Sequence, residues 1–421
     1  MCDRVKEATQ HAWSGYNQYA SGCDDLMPLS KKGRNWYKFS MSMTPMDAYD
    51  TFVLMGLKEE AAQAQASMIN KFNFDLDNDV QVFEVTIRLL GSLLSAYESE
   101  GNKQFLSLAE DLGQRLLPAF KTPTGMPYRF VNLHTGNCRD SINNPAEIGT
   151  LTLEFGKLSE FTGDKTYYEV VKKATLAVFE RRSALDLVGE AIDVKTGKWT
   201  NTNSHISGCI DSYYEYLYKS WLLFGDKDFK KAFEIHQKAI KKYLICDTEN
   251  GSFMRQVNMN TGVEISSNYG ALDAFYTGLC VLEGDILLAR NIQKANFSMW
   301  NAFGMEPEEY NFKTQNVTNS QYHLRPENLE SCFYLYRSTK SEQYLWEGKK
   351  MVDDILKNCR SEVGFASIKD LKTMEKMDVM HSFLFAETLK YAYLLFAPDA
   401  SLDLKKYVLN TEAHAFLIAK K

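Results

Sequence analysis

No run of 18 or more apolar residues occurs in the 421-residue chain, so no membrane-crossing helix is expected. Like charges never cluster, the net charge is −6, and no basic face is visible, which excludes a nucleic-acid partner. None of the eight cysteines forms a Cys-x-x-Cys pair, which excludes zinc-ribbon and thioredoxin-like sites. The seven histidines show no metal-ligand spacing, and HExxH, GxSxG, Walker and GxGxxG patterns are absent. Asp75, Asp77 and Asp79 imitate the start of an EF-hand loop, but its sixth position is Val80 and its twelfth is Thr86. Those positions need Gly and Glu, so that reading fails. The first thirty residues lack a charged start followed by an apolar run of signal-peptide length. The sequons at Asn296 and Asn316 are too common by chance to place the chain in a compartment.

What is present is a period. Gly101-Asn102-Lys103, Gly163-Asp164-Lys165 and Gly225-Asp226-Lys227 recur at intervals of 62 residues. An apolar, aromatic-ended helical pattern precedes each copy, and an aromatic follows it: Phe105, Tyr167 and Tyr168, Phe229. Gly followed by Asp or Asn fits a helix C-cap and then the N-cap of the next helix. Each unit therefore reads as an αα-hairpin with a longer return loop. Weaker copies fall at Thr339-Lys340-Ser341 and Gly284-Asp285. The stretch from Asp47 to Leu57 opens the series, and Phe383 to Phe396 followed by Leu402 to Val408 closes it. That gives about seven hairpins, with a unit longer than the 34 to 47 residues of the common helical repeats. The first helix of each pair is the more apolar, as in residues 85–94, and belongs inside. The expected fold is all-α: a closed (α/α) toroid, read as one domain over residues 1–421. The return loops around 122–128 and 188–199 carry Gly, Pro and strand-like pieces fit to fringe a pocket. The 13% aromatic content suits a large core first, and sugar-stacking surfaces second.

Acids stand where the inner helices begin: Asp47 and Asp50, Glu84, Glu147, Asp211, Asp273, then Glu327 and Glu330. One acid in a first turn is ordinary capping. Several on buried helices gathered at one end of a ring are another matter, because buried carboxylates are costly unless paired, protonated or metal-bound. Arg88 and Arg325 are candidate partners. Two carboxyl groups across a pocket are what glycoside hydrolysis requires, one protonated and one ionised. Crowding pushes their pKa values apart. A separation of roughly 6.5–9.5 Å admits a water and inverts configuration.

The motifs then resemble glycoside hydrolase family 47, the class I α-mannosidases. The segments are Asp47-Ala48-Tyr49-Asp50-Thr51, Val82-Phe83-Glu84-Val85-Thr86-Ile87-Arg88, Asp211-Ser212-Tyr213-Tyr214-Glu215-Tyr216, Leu324-Arg325-Pro326-Glu327 through Glu330-Ser331, and Ala386-Glu387-Thr388 leading to Asn410-Thr411-Glu412-Ala413-His414. The resemblance implies an (α/α)7 barrel that removes terminal α-1,2-linked mannose from mannose-rich glycans with inversion, with a Ca2+ cofactor. It implies Glu84 as general acid, Glu327 as general base and Asp211 as a third essential acid. It implies Thr411 as the calcium ligand, with waters fixed by Glu147, Glu330, Glu387 and Glu412. Phe383 is the implied aromatic floor, and Arg88 and Arg325 the pocket arginines. Cys209, Ala271, Ala274 and His381 depart from the Golgi and endoplasmic-reticulum enzymes. These departures make the chain look like the degradation-enhancing branch or a bacterial member, and the Ala274 change speaks against the family disulfide. A monomer, exported with any leader already removed, is expected. The competing expectation is a mannose-binding lectin of this fold with lapsed catalysis.

Overall fold

A computed structural model describes residues 1–69 and 72–418; Asn70, Lys71 and residues 419–421 lie outside the described residues. Seven inner helices stand side by side. They are α2 (Met43–Met55), α4 (82–100), α6 (145–162), α8 (Asp211–Phe224), α10 (271–283), α12 (Glu327–Thr339) and α14 (384–396). Each touches the next, and α14 touches α2, so the ring closes. The outer helices are α1 (Cys2–Tyr19), α3 (Lys58–Ile69), α5 (Lys103–Leu116), α7 (Lys165–Glu180), α9 (Lys227–Tyr243), α11 (Ile286–Phe303) and α13 (Glu342–Asn358). The fold is an (α/α)7 toroid.

The hairpin turns are built by the capping pair. Gly101, Gly163 and Gly225 take φ of 71°, 79° and 71°, a region that favours glycine. Asn102, Asp164 and Asp226 then accept hydrogen bonds from the N–H groups of Gln104, Thr166 and Asp228. The copy at Thr339-Lys340-Ser341 makes the same turn without glycine, with Lys340 at φ 57°. Inner helices are buried on most faces, as over residues 85–96, whereas α5 buries a single stripe of Phe105, Ala109, Leu112 and Leu116.

The seventh hairpin corrects the sequence expectation. Residues 402–408 do not form the outer partner of α14; Tyr407–Leu409 is a strand paired with Ala415–Leu417. The outer position is filled by α1, whose Val5, Ala8, Ala12, Trp13 and Tyr16 form the buried stripe of an amphipathic helix. The chain therefore closes its ring with its first helix. This releases the C-terminal strands to form a hairpin whose tip, residues 410–414, reaches into the barrel. There Asn410 donates to the Ile87 carbonyl and to Glu154, and Lys390 donates to the Ala413 carbonyl.

Return loops pair with one another along one rim. Asp79–Gln81 pairs with Phe130–Asn132, Ile142–Asn143 with Ala191–Asp193, and Asn203–Ser204 with Gln256–Asn258. The expected strand pieces form at Ala191–Asp193 and Lys198–Asn201, but residues 122–128 contain none.

Candidate active site

The N-termini of the inner helices meet around a cavity of about 390 Å³. Glu84 sits in the first turn of α4 and Glu147 in the first turn of α6. Asp211 and Glu327 are the first residues of α8 and α12, with Glu330 one turn below Glu327. All five line the cavity, together with Arg88, Arg325, Phe383, Glu387, Thr411 and Glu412. Arg88 and Glu387 lie within π-helical turns, Thr86–Leu90 and Leu384–Thr388, inside α4 and α14. Such turns re-aim side chains and concentrate at functional sites.

Three of the predicted mouth acids lie elsewhere. Asp47 is fully buried and accepts from Arg88 at 3.2 Å and from the Ser382 hydroxyl. Asp50 accepts from Lys390 and from His414, each at 2.9 Å. Both stand in the second turn of α2, below the mouth. Asp273 caps its own helix by accepting from the Gly270 N–H. Arg325 also departs from expectation: its guanidinium grips Glu308 with Nη2 at 2.9 Å and Nε at 3.1 Å, rather than pairing with Glu327. Arg88 does pair with Glu84, at 2.9 Å, and bridges it to Asp47 and Glu412. Glu147 is held by Arg129, with contacts of 2.8 and 2.9 Å, and by Asn144.

The cavity wall carries eight carboxyl groups, since Glu215 joins the seven named above, against three guanidinium groups. Burial raises five of them, Asp211, Glu327, Glu330, Glu387 and Glu412. It pushes Asp211 up to about 7. It also pushes Glu327 up to about 7, against the opposing pull of Arg325, and one buried Glu327 oxygen has no hydrogen-bond partner. Glu387 and Glu412 are raised by burial, Glu387 further by the neighbouring Glu412, Glu327 and Glu330. Lys219 balances Glu215 beneath the cavity.

A surplus of carboxylates at a cavity floor fits a hard cation. Among the described residues no three His, Cys, Asp or Glu side chains converge closely enough to hold an ion by themselves. Sequence reasoning missed Glu308, Arg129 and Lys219. Glu215 stood one turn after Asp211 inside a quoted motif, and its helical spacing was the available signal.

The family model for glycosyl hydrolase family 47 matches residues 8–418. The chain belongs to glycosyl hydrolase family 47. It is similar to alpha-mannosidase I MNS5 of Arabidopsis thaliana, 36% identical over 98% of this chain and 76% of that protein. It is similar to ER degradation-enhancing alpha-mannosidase-like protein 1 of Schizosaccharomyces pombe, 33% identical, spanning 98% of this chain and 55% of that protein. Among solved structures, the alpha-1,2-mannosidase from Trichoderma reesei superposes with a TM-score of 0.92 at 28% identity, covering 99% of both chains. A D-mannose isomerase at 12% identity and a TM-score of 0.59 shares the fold alone.

Proposed function

We propose that this family 47 chain is an inverting exo-α-1,2-mannosidase that trims terminal mannose from mannose-rich glycans. The observation that carries the reading is the convergence of Glu84, Asp211 and Glu327 on one cavity that Phe383 also lines. In this reading Glu327 takes a proton from water as the water oxygen attacks the anomeric carbon. The glycosidic C–O bond breaks, and the leaving oxygen receives a proton from the acid side of the cavity. Glu84, positioned by Arg88, is the delivering group: it gives its carboxyl proton to the leaving oxygen and ends as the carboxylate paired to Arg88. Asp211, which burial pushes up to about 7 and whose charge acts on Glu327, is the third acid of the cavity. β-Mannose and a shortened glycan leave.

Thr411 would hold Ca2+, with Glu147, Glu330, Glu387 and Glu412 orienting the waters around it. When bound, the ion supplies charge that binds and distorts the sugar through its hydroxyls. Arg88 fixes both Glu84 and Glu412, so one guanidinium couples the acid to the floor. Arg325, pinned by Glu308, presents its charge beside Glu327. We further propose that residues 1–421 act as one catalytic domain and as a monomer. In support, the ring is completed by α1 and α14 of the same chain. The test is incubation with a mannose-rich N-glycan, read by mass spectrometry. Stepwise loss of hexose supports the reading, and an unchanged glycan refutes it.

A further inference from the structure

We propose that a groove leading off the cavity beside Glu84 is a binding subsite for a neutral pyranose of the glycan beyond the two sugars that the cut linkage joins, and that it sets which glycans this chain prefers. The inference rests on the mannosidase reading above. The groove is an open, shallow one of about 430 Å³, and Gln81 and Glu84 line both it and the cavity. Its other wall comes from the loop between α1 and α2, through Arg34, Trp36 and Tyr37, and from His381.

An aromatic path joins the two spaces. His381 stacks on Phe383 with centroids 5.2 Å apart and planes 26° apart. Trp36 stands edge-on to His381 at 6.5 Å and 89°. The aromatic surface that starts at Phe383 thus continues out into the groove. The C–H faces of a pyranose are apolar and seat on such rings, while fixed polar groups at the edge take its hydroxyls. Those polar groups are anchored. Asp25 is 1% exposed and accepts both from the Trp36 indole N–H and from Arg34, each at 2.6 Å. The Arg34 side chain keeps 40% exposure. Burial and the surrounding Arg88 and Arg34 push His381 down to about 3, so its ring is neutral at working pH. A neutral ring between cations suits an uncharged sugar.

The test compares wild type with His381→Ala and with Arg34→Gln, on an α-1,2-mannobioside and on an intact mannose-rich glycan. The quantity read is the ratio of kcat/KM on the glycan to kcat/KM on the disaccharide. Expected is a fall of at least fivefold in that ratio, carried by KM for the glycan. A ratio within twofold of wild type in both variants overturns the subsite, whatever happens to absolute activity. Saturation-transfer NMR of the intact glycan gives a second readout. Loss in His381→Ala of the contacts that wild type makes to sugars beyond the terminal two supports the groove, and identical contact maps overturn it. Failure of wild type to cleave either substrate sinks the mannosidase reading instead, and the NMR comparison still decides the groove.

Discussion

Arg88 offers the sharpest test of how the site is held together. Its side chain is 9% exposed, and it faces Asp47 at 0%, Glu412 at 2% and Glu84 at 23%. Replacing it with Met keeps much of the volume and removes the only guanidinium these three acids share. Breaking a buried ion pair by deleting one partner costs about 3–5 kcal/mol, because an uncompensated charge stays behind. Burial already raises Glu412, whereas His414 and Arg88 hold the Asp47 carboxyl below the usual range against its burial, so losing Arg88 falls most heavily on Asp47. The expected loss for Arg88→Met is therefore about 3–5 kcal/mol of unfolding free energy at pH 7. Arg88→Lys should fall between, since one ammonium cannot reach three carboxylates in fork geometry. The sign with pH follows. Orphaned buried carboxylates have folded pKa values above their unfolded ones, so they destabilise above the unfolded pKa and the penalty fades as acid protonates them. The deficit should shrink between pH 7 and pH 5. Urea unfolding followed by tryptophan fluorescence measures it. A deficit below about 1 kcal/mol, or one indifferent to pH, contradicts the buried-charge argument.

The other predictions concern chemistry and the barrel floor. Glu84→Gln and Glu327→Gln should each lower kcat by about 10²- to 10⁴-fold with unchanged unfolding midpoints; near-normal turnover would remove the residue from its role. In the proposed mechanism Glu327 works ionised and Asp211 protonated, and burial raises both to about 7. Activity should therefore fall as pH drops below that value and again as it rises above, and a flat kcat/KM profile from about pH 5 to 9 would contradict this. An added Cβ at Gly91 would meet the Asn410 amide nitrogen at 2.8 Å and His414 at 3.0 Å. Gly91→Ala should thus displace the hairpin tip, cost about 1–3 kcal/mol and weaken calcium binding measured by calorimetry; wild-type affinity would separate the tip from the ion.

The ring was legible because its turns are local. A glycine that must take positive φ, followed by a capping Asn or Asp, marks each hairpin wherever it occurs, and six of the seven follow from that signal or its weaker copies. The seventh was misread because its outer helix comes from the other end of the chain, and no local pattern announces a pairing across nearly 400 residues. The acids were legible as a class but not one by one. Asp273 carries the same first-turn signal as Glu84 and Asp211, and Asp47 and Asp50 look alike in the sequence because nothing there marks that α2 already begins at Met43. What separates them is where the side chain ends: Glu84 and Asp211 line the cavity, Asp47 and Asp50 reach His414, and Asp273 turns back to the Gly270 N–H. The π-helical turns that aim Arg88 and Glu387 have no sequence signature. Glu308 was missed because it lies in a return loop and reaches Arg325 through space.

The central claim is calcium-dependent inverting hydrolysis of α-1,2-linked mannose. Proton NMR of the purified protein acting on an α-1,2-mannobioside, with and without a calcium chelator, tests it directly. The account predicts that β-mannose appears first, mutarotates to the α anomer afterwards, and fails to appear once calcium is removed. Initial release of α-mannose would contradict inversion. Undiminished release in the chelated sample would contradict the site at Thr411. Calcium-dependent binding of the disaccharide without any release would mark the chain as a mannose lectin of this fold.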